Sequence, residues 1–373
     1  MSLPPLRVGL IGYGYAGKTF HAPLIGGVPG LALAAVSSRD PARVRADWPE
    51  VEVLPDARAL IRQADLDLVV IASPNDSHFP LARAALAAGR HVVVDKPFTL
   101  TPAEARELCA LAHARGRQLS VFHNRRWDSD FLTLRTLLQR GTLGRIVHLE
   151  SAFDRYRPEV RARWRESAAP GGGLWFDLGP HLLDQALQLF GWPEAIALDQ
   201  ATLRDAGQAD DWFQARLRYP GLRVVLRASM LAAAPAPRFV VHGTRGSWIK
   251  LGLDAQEDAL KAGERPLWPP EPGWGADRNV SLLTQMRGDT LHTDHWPLLP
   301  GCQGAFYAAV RDALRGEGDN PVPGEQAAAV MALIELGRRS QREARECEAG
   351  TPPIASRPTQ AQTAGSVRQE ASR

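Results

Sequence analysis

The sequence predicts a two-part α/β protein: a parallel sheet covered by helices on both faces, then a second α/β unit on an open, mostly antiparallel sheet. Three observations predict it. Through the first third of the chain, short apolar runs alternate with amphipathic stretches, the pattern of strands buried between crossover helices. After residue 123 successive strands are joined by tight turns such as Tyr219-Pro220-Gly221 and Gly243-Thr244-Arg245-Gly246, as antiparallel neighbours require. A chain of 373 residues also exceeds what one core of ordinary size accommodates.

In chain order, strands are expected at 7–12, 32–37, 51–54, 68–72, 91–94 and 118–122, with helices at 42–47, 57–63, 79–88 and 102–115. Gly89 and Gly116 follow helices where a left-handed cap belongs. A helix at 130–140 leads to a strand at 146–153 and then to a loop rich in Arg, Trp, Pro and Gly. The next helix ends at 190. It begins near Asp177, because Pro180 fits only a first helical turn. Strands follow around 195–203, 211–219, 223–230, 238–243 and 247–251; residues 252–303 resist assignment, and helices at 305–315 and 324–343 close the fold. The domains are therefore expected at 1–123 and 124–348. The stretch 349–373, poor in large apolar residues, reads as a disordered tail.

Composition narrows the function classes. Hydrophobic residues at 45% and charged residues at 23% describe a globular protein. A net charge of +3 without a clustered basic segment gives no reason to expect nucleic acid. Cys109, Cys302 and Cys347 are scattered, so neither a disulfide frame nor a metal centre is expected. His292-Thr293-Asp294-His295 lacks a third histidine for a metal. No apolar run is long enough to span a bilayer and no signal peptide is read, so a cytoplasmic protein acting on a small molecule is expected. Only four lysines, Lys18, Lys96, Lys250 and Lys261, stand among 44 Lys and Arg residues. A composition that favours Arg spares a lysine where a compact ammonium is needed.

Gly12-Tyr13-Gly14-Tyr15-Ala16-Gly17 follows the first strand. In a dinucleotide (Rossmann) turn the first glycine permits the tight bend, the second admits the pyrophosphate, and the third lets helix and strand pack closely. The helix N-terminus behind it offers free N–H groups to phosphate. Gly12 to Thr19 also satisfies GxxxxGK[ST], with Asp95 as a possible magnesium ligand. A loop wrapped around a triphosphate tolerates Tyr13 and Tyr15 poorly, and no hydrolytic base or switch segment is visible. The second strand ends Ser37-Ser38-Arg39, two hydroxyls and a guanidinium suited to a 2′-phosphate. NADP is therefore favoured; Asp40, which could hold a ribose 2′-hydroxyl, keeps NAD possible.

The glycine turn, Ala72-Ser73-Pro74-Asn75-Asp76-Ser77-His78, Val92-Val93-Val94-Asp95-Lys96-Pro97 and Asp177-Leu178-Gly179-Pro180-His181 together resemble the glucose–fructose oxidoreductase, inositol dehydrogenase and rhizopine catabolism (Gfo/Idh/MocA) family. Phe122-His123-Asn124-Arg125-Arg126-Trp127-Asp128 is similar to its NADP-dependent scyllo-inositol dehydrogenase branch. The resemblance implies hydride transfer to or from a secondary alcohol of a cyclitol, polyol or sugar, and a homodimer or homotetramer built on the open sheet. It also implies a cis bond before Pro97. The chain departs from the family in having Asp95 where Glu is usual, and Cys302-Gln303 where this branch has Asn-Tyr.

The residues themselves support catalytic roles. Lys96 follows a buried strand at the edge of the sheet where such folds bind ligands, and its ammonium can steady developing oxygen charge. Asp177, His181 and Asp184 are spaced to share one helix face. There His181 is the expected base, exchanging a proton near neutral pH; Asp177 orients it or bonds substrate, and Asp184 supports them. Gly12, Tyr13, Gly14, Tyr15, Ala16, Ser73, Asn75, His78, Asp95 and Asn124 are expected around the cofactor; Asn124, Arg125, Tyr156 and Trp164 are expected near substrate. The arginines of the loop, Arg155, Arg157, Arg161, Arg163 and Arg165, read as a solvated or subunit-contact surface, or else as a cover over the substrate. An NAD-assisted glycosidase and a non-catalytic NADP-sensing regulator are the rival readings.

Overall fold

The computed structural model describes residues 3–353, with residues 64 and 235 excepted; the tail expected from 349 lies outside the described residues from 354 onward. The first part runs β1 (Leu6–Ile11), α1 (Ala22–Gly26), β2 (Leu31–Ser37), α2 (Pro41–Asp47), β3 (Glu52–Leu54), α3 (Ala57–Arg62), β4 (Leu68–Ile71), α4 (Asn75–Ala87), β5 (His91–Val94), α5 (Pro102–Ala114) and β6 (Leu119–Val121). Its strands form one parallel sheet in the order β3-β2-β1-β4-β5-β6. The order reverses between β1 and β4, and the crevice at that switch point is where open α/β sheets take ligands. Local chemistry sets the helix starts. Asp40 and Asp56 accept from Arg43 and Ala59 amides, and Thr101 with Glu104 forms a capping box before Pro102 at the first helical position.

The second part runs α6 (Ser129–Gln139), β7 (Ile146–Asp154), α7 (Leu174–Phe190), β8 (Ala195–Ala201), β9 (Trp212–Tyr219), β10 (Leu222–Ser229), β11 (Pro237–Gly243), β12 (Gly246–Leu251), α8 (Gln256–Lys261), β13 (Ser281–Arg287), β14 (Thr290–His295), α9 (Gly304–Arg315), α10 (Gly324–Glu343) and β15 (Cys347–Glu348). Nine strands make one sheet, β14-β13-β12-β11-β7-β10-β9-β8-β15. All its pairs are antiparallel except β7 with β10. The two are not consecutive, and the chain reaches β10 through α7, β8 and β9. Buried α7 covers this sheet; Trp175 donates its indole N–H to the Ile334 carbonyl, and only a glycine at 179 leaves room for that ring, since a Cβ there would meet it at 2.7 Å.

Several expectations need correction. α7 begins at Leu174, so Pro180 lies in its second turn and His181 is well inside the helix. The proline removes one N–H from the ladder, and beside that gap the Asp177 carbonyl accepts a bond from Lys96 Nζ. Similarly, α4 starts at Asn75 and carries Pro80 within it. The unassigned stretch 252–303 supplies α8, β13 and β14, of which α8 lies near the glycine turn. Helix α9 packs back onto the first sheet, with Phe306 and Tyr307 against Phe122 at 5.0 and 5.8 Å. No helix among the described residues is long and apolar enough to cross a membrane.

Candidate active site

The three glycines of the turn differ as their proposed tasks require. Gly12 has φ +97°, and a Cβ there would lie 2.6 Å from the Ala72 carbonyl oxygen. A Cβ on Gly17 would lie 2.0 Å from the Gly12 carbonyl oxygen, so helix and strand are in backbone contact. Around Gly14 nothing stands within 4 Å. One glycine bends, one packs, and one faces open space of the kind a pyrophosphate fills. The helix behind them begins at Tyr15 and widens into a π turn over Gly17–His21. Lys18 N–H to Gly14 O is an early bond of that helix. Lys18 itself turns aside to Asp47 at 2.7 Å, as does the Tyr13 hydroxyl at 2.9 Å.

At the end of β2, Ser37 is buried while Arg39 is exposed. Asp40 caps α2 through the Arg43 amide, so its carboxylate already has a task away from any ribose. After β4, Ser73 Oγ pairs with Ser77 Oγ at 2.6 Å, and Asn75 Nδ2 donates to Gly171 O. His78 is interior: its ring nitrogens lie 2.8 and 3.0 Å from the Pro97 and Ser73 carbonyl oxygens. It ties the loop after β4 to the loop after β5, a scaffolding place and not a cofactor-facing one. Burial holds its pKa below the ordinary histidine value.

Lys96 stands at the end of β5, ahead of a cis bond to Pro97. Its Nζ donates to both the backbone oxygen and Oδ1 of Asp177, each at 2.9 Å. Asp177 thus pairs with Lys96, with Arg165 at 3.7 Å, while His181 Nδ1 is buried without a hydrogen-bond partner. Burial alone would raise the Asp177 carboxyl; Lys96, Arg165 and Arg155 hold it well below the usual carboxylate range. Burial, reinforced by Lys96 and Arg125, pushes His181 well below the ordinary histidine value. That corrects the expectation of a group titrating near neutrality, since its place inside α7 and the surrounding cations outweigh Asp177. Asp95 accepts from the Lys96 amide and lies 3.8 Å from His21 Nε2. Burial opposes its ionisation, but His21, Lys96 and His78 bring it down to about 2.

Asp184 does not join this group. Both its oxygens are taken by Arg126, at 2.8 and 2.5 Å, pinning α7 to the short turn Asn124–Trp127. Arg125 ion-pairs with Asp128 and Glu257 and lies over the Phe153 ring. Gln303 bonds Asp128 beneath that turn, so Cys302-Gln303 belongs to the support and not to the wall of the site.

These parts surround one cavity of about 670 Å³, lined by Tyr15, Ala16, Asp95, Lys96, Asn124, Arg125, Trp164, Asp177 and His181 among the expected residues. All five loop arginines, 155 to 165, line it too, which resolves that loop as a cover over the site. Tyr156 does not. It is 60% exposed and bridges Leu231, and in extended backbone its neighbours 155 and 157 face the opposite way. Phe20, Phe122, Leu178, Glu257 and Lys261 also line the cavity and were missed. The last two come from α8, which Tyr15 OH meets through Glu257 at 3.2 Å; no local motif marked that helix.

The chain matches two family models: an oxidoreductase family with an NAD-binding Rossmann fold over residues 6–123, and the GFO/IDH/MocA C-terminal domain over residues 131–249. It is 57% identical over 335 residues to the uncharacterized oxidoreductase YdgJ of Escherichia coli, covering 90% of this chain and 96% of the relative. It is 35% identical over 342 residues to the scyllo-inositol 2-dehydrogenase (NADP(+)) IolW of Bacillus subtilis, covering 91% and 95%. A solved oxidoreductase from Yersinia pestis superposes with a TM-score of 0.89 at 55% identity, covering 95% of this chain and 99% of that one. With both sheets, the glycine turn and the Lys96 cavity in place, the chain belongs to the Gfo/Idh/MocA family of oxidoreductases.

Proposed function

We propose that the protein is an NADP-dependent dehydrogenase that oxidises or forms a secondary alcohol of a cyclitol, polyol or sugar, with a scyllo-inositol-like ring favoured. The observation that carries this reading is Lys96 and His181 facing one cavity whose floor leads to the open side of Gly14. When bound there, nicotinamide supplies the hydride acceptor or donor. The Lys96 ammonium has three N–H bonds, two of them engaged by Asp177. The third is free to hold a substrate hydroxyl and steady the charge on its oxygen as the carbonyl forms. His181, neutral because it is buried among cations, accepts the hydroxyl proton. Nε2 is the nitrogen for that transfer, since Nδ1 is sealed. Asp177 keeps Lys96 charged and aimed.

Support for NADP comes from Ser37, Ser38 and exposed Arg39 at the end of β2, with Asp40 engaged in capping, and from the NADP(+) named for the Bacillus relative. The test is nucleotide reduction with inositols and aldoses at saturating NADP, repeated with NAD. Turnover with NADP favoured about tenfold or more, and that preference reduced in Arg39→Ala, is the expected result. Tight nucleotide binding with no turnover of any alcohol would overturn the reading. Sizing of the purified protein tests the expected dimer or tetramer.

A further inference from the structure

The loop between β7 and α7 is a built structure that carries an excess of positive charge into the cavity. Its first residues prolong β7. Arg155 N–H donates to Ser229 O, Ala232 N–H to Arg155 O, and Arg157 N–H to Met230 O. This extended backbone sends Arg155 and Arg157 to one side, toward the cavity. Buried Arg204 holds the loop from beneath: its guanidinium donates to the Arg157 and Glu159 carbonyls, pairs with Asp211 at 2.9 Å, and meets Glu166 at 3.1 Å. Glu166 in turn accepts from the Arg161 amide and from Arg163 Nε.

The guanidiniums so presented are not balanced by the protein. Eight of the lining residues are Lys or Arg and three are Asp or Glu. Arg163 is answered by Glu166, and Arg165 reaches Asp177 and stacks on Trp164. Among the described residues, Arg155, Arg157 and Arg161 have no ion-pair partner. Burial and the neighbouring Arg155, Arg163 and Arg161 charges lower the Arg157 pKa, the mark of like charges crowded without a counterion. An anion among these groups would relieve the repulsion and accept forked hydrogen bonds.

Resting on the dehydrogenase reading above, we infer that the substrate is a polyol or sugar carrying an anionic group, a carboxylate or a phosphate ester, held by Arg155, Arg157 and Arg161 while a secondary hydroxyl meets Lys96 and His181. The loop is therefore a specificity device, and neutral sugars are the poorer ligands.

Calorimetric titration of the full, NADPH-loaded protein with matched ligands tests this: glucose against glucuronate and glucose 6-phosphate, and myo-inositol against an inositol monophosphate. In at least one pair the anionic member is expected to bind about tenfold more tightly or better, the worth of one charge-assisted hydrogen bond. The carboxylate and phosphate arms tell the two anion sources apart. The double variant Arg155→Gln/Arg157→Gln should bring the ratio within about threefold while the NADPH dissociation constant holds within a similar factor. Arg161→Gln, at an exposed side chain, gives a smaller loss in the same direction and guards against misfolding of the double variant. No anionic preference in any pair overturns the inference. So does a variant that weakens NADPH as much as the anionic sugar, because the arginines would then serve the cofactor. Turnover measured in parallel keeps the two proposals apart. Anionic preference without oxidation of any member sinks the dehydrogenase reading and leaves the anion site standing; oxidation without anionic preference does the reverse.

Discussion

Lys96 is the residue on which most of the site converges, because its ammonium joins the end of β5 to α7 through two bonds to Asp177. Replacing it by methionine keeps the length and removes the charge. Turnover is expected to fall about a hundred- to thousandfold, the usual cost of losing one transition-state donor, with NADPH binding by fluorescence little changed. His181 makes a pH prediction. An ordinary histidine titrates near 6.5, and this one is depressed by burial and by Lys96 and Arg125. The active form is the neutral base, so activity persists below neutrality and is lost only as pH falls through the depressed value. The acid limb of kcat/KM for alcohol oxidation should therefore lie well below pH 6.5 and vanish in His181→Asn. A limb at 6.5 or above that survives the substitution would assign it to another group. The other lysines have plainer tasks: Lys250, fully buried, is tied to Asp277 at 2.6 Å and to Gly252 O at 2.8 Å.

At the scale of elements, the turn after β1 separates stability from binding. Gly17→Ala drives a Cβ into the Gly12 carbonyl and should cost about 1–3 kcal/mol or more of stability, as overpacking does. Gly14→Ala meets no neighbour, so its melting temperature should stay close to the parent's while NADPH affinity drops about tenfold or more, because the methyl fills the space a pyrophosphate needs. Equal destabilisation by both, read by thermal melts, would argue against different tasks for the two glycines. Helix α7 teaches a related lesson. Its proline suggested a start near Asp177, yet the helix tolerates Pro180 one turn later, since tertiary packing outweighs a single lost ladder bond.

For the molecule as a whole, acid sensitivity follows from histidines kept neutral inside. Burial lowers His78 and His181, and lowers His123 to about 4. Below about pH 6.5 the unfolded chain takes up protons that the native state refuses. Stability is therefore fully present above that value and is lost as pH falls, by about 1.4 kcal/mol per pH unit for each histidine until its folded value is reached. For His123 that window runs down to about pH 4. Lower still, Asp95 and Asp177 contribute in the same sense: their depressed carboxyls favour the fold only while ionised. Denaturant titrations at pH 7, 6 and 5 should show the slope. His123→Leu, at a ring whose two nitrogens have no partner, should flatten it by the share of one histidine. An unchanged slope would mean that His123 does not stay neutral in the fold.

Sequence by itself determined what depends on local periodicity and backbone freedom. The alternation of strands and helices around two sheets, the glycine turn after β1, Lys96 at a strand end, and Asp177 and His181 on one helix all follow from periods of 2 and 3.6 and from positions that only glycine can occupy. Only the tertiary structure decided which charges meet, because those partners are far apart in the chain. Asp177 turns to Lys96 and not to His181, Asp184 to Arg126, and α8 reaches Tyr15 from the stretch that resisted assignment. The arginine loop shows the reason most plainly. In an extended segment neighbouring side chains face opposite ways, so its pairing beside the end of β10 sends Arg155 and Arg157 into the cavity and Tyr156 out of it.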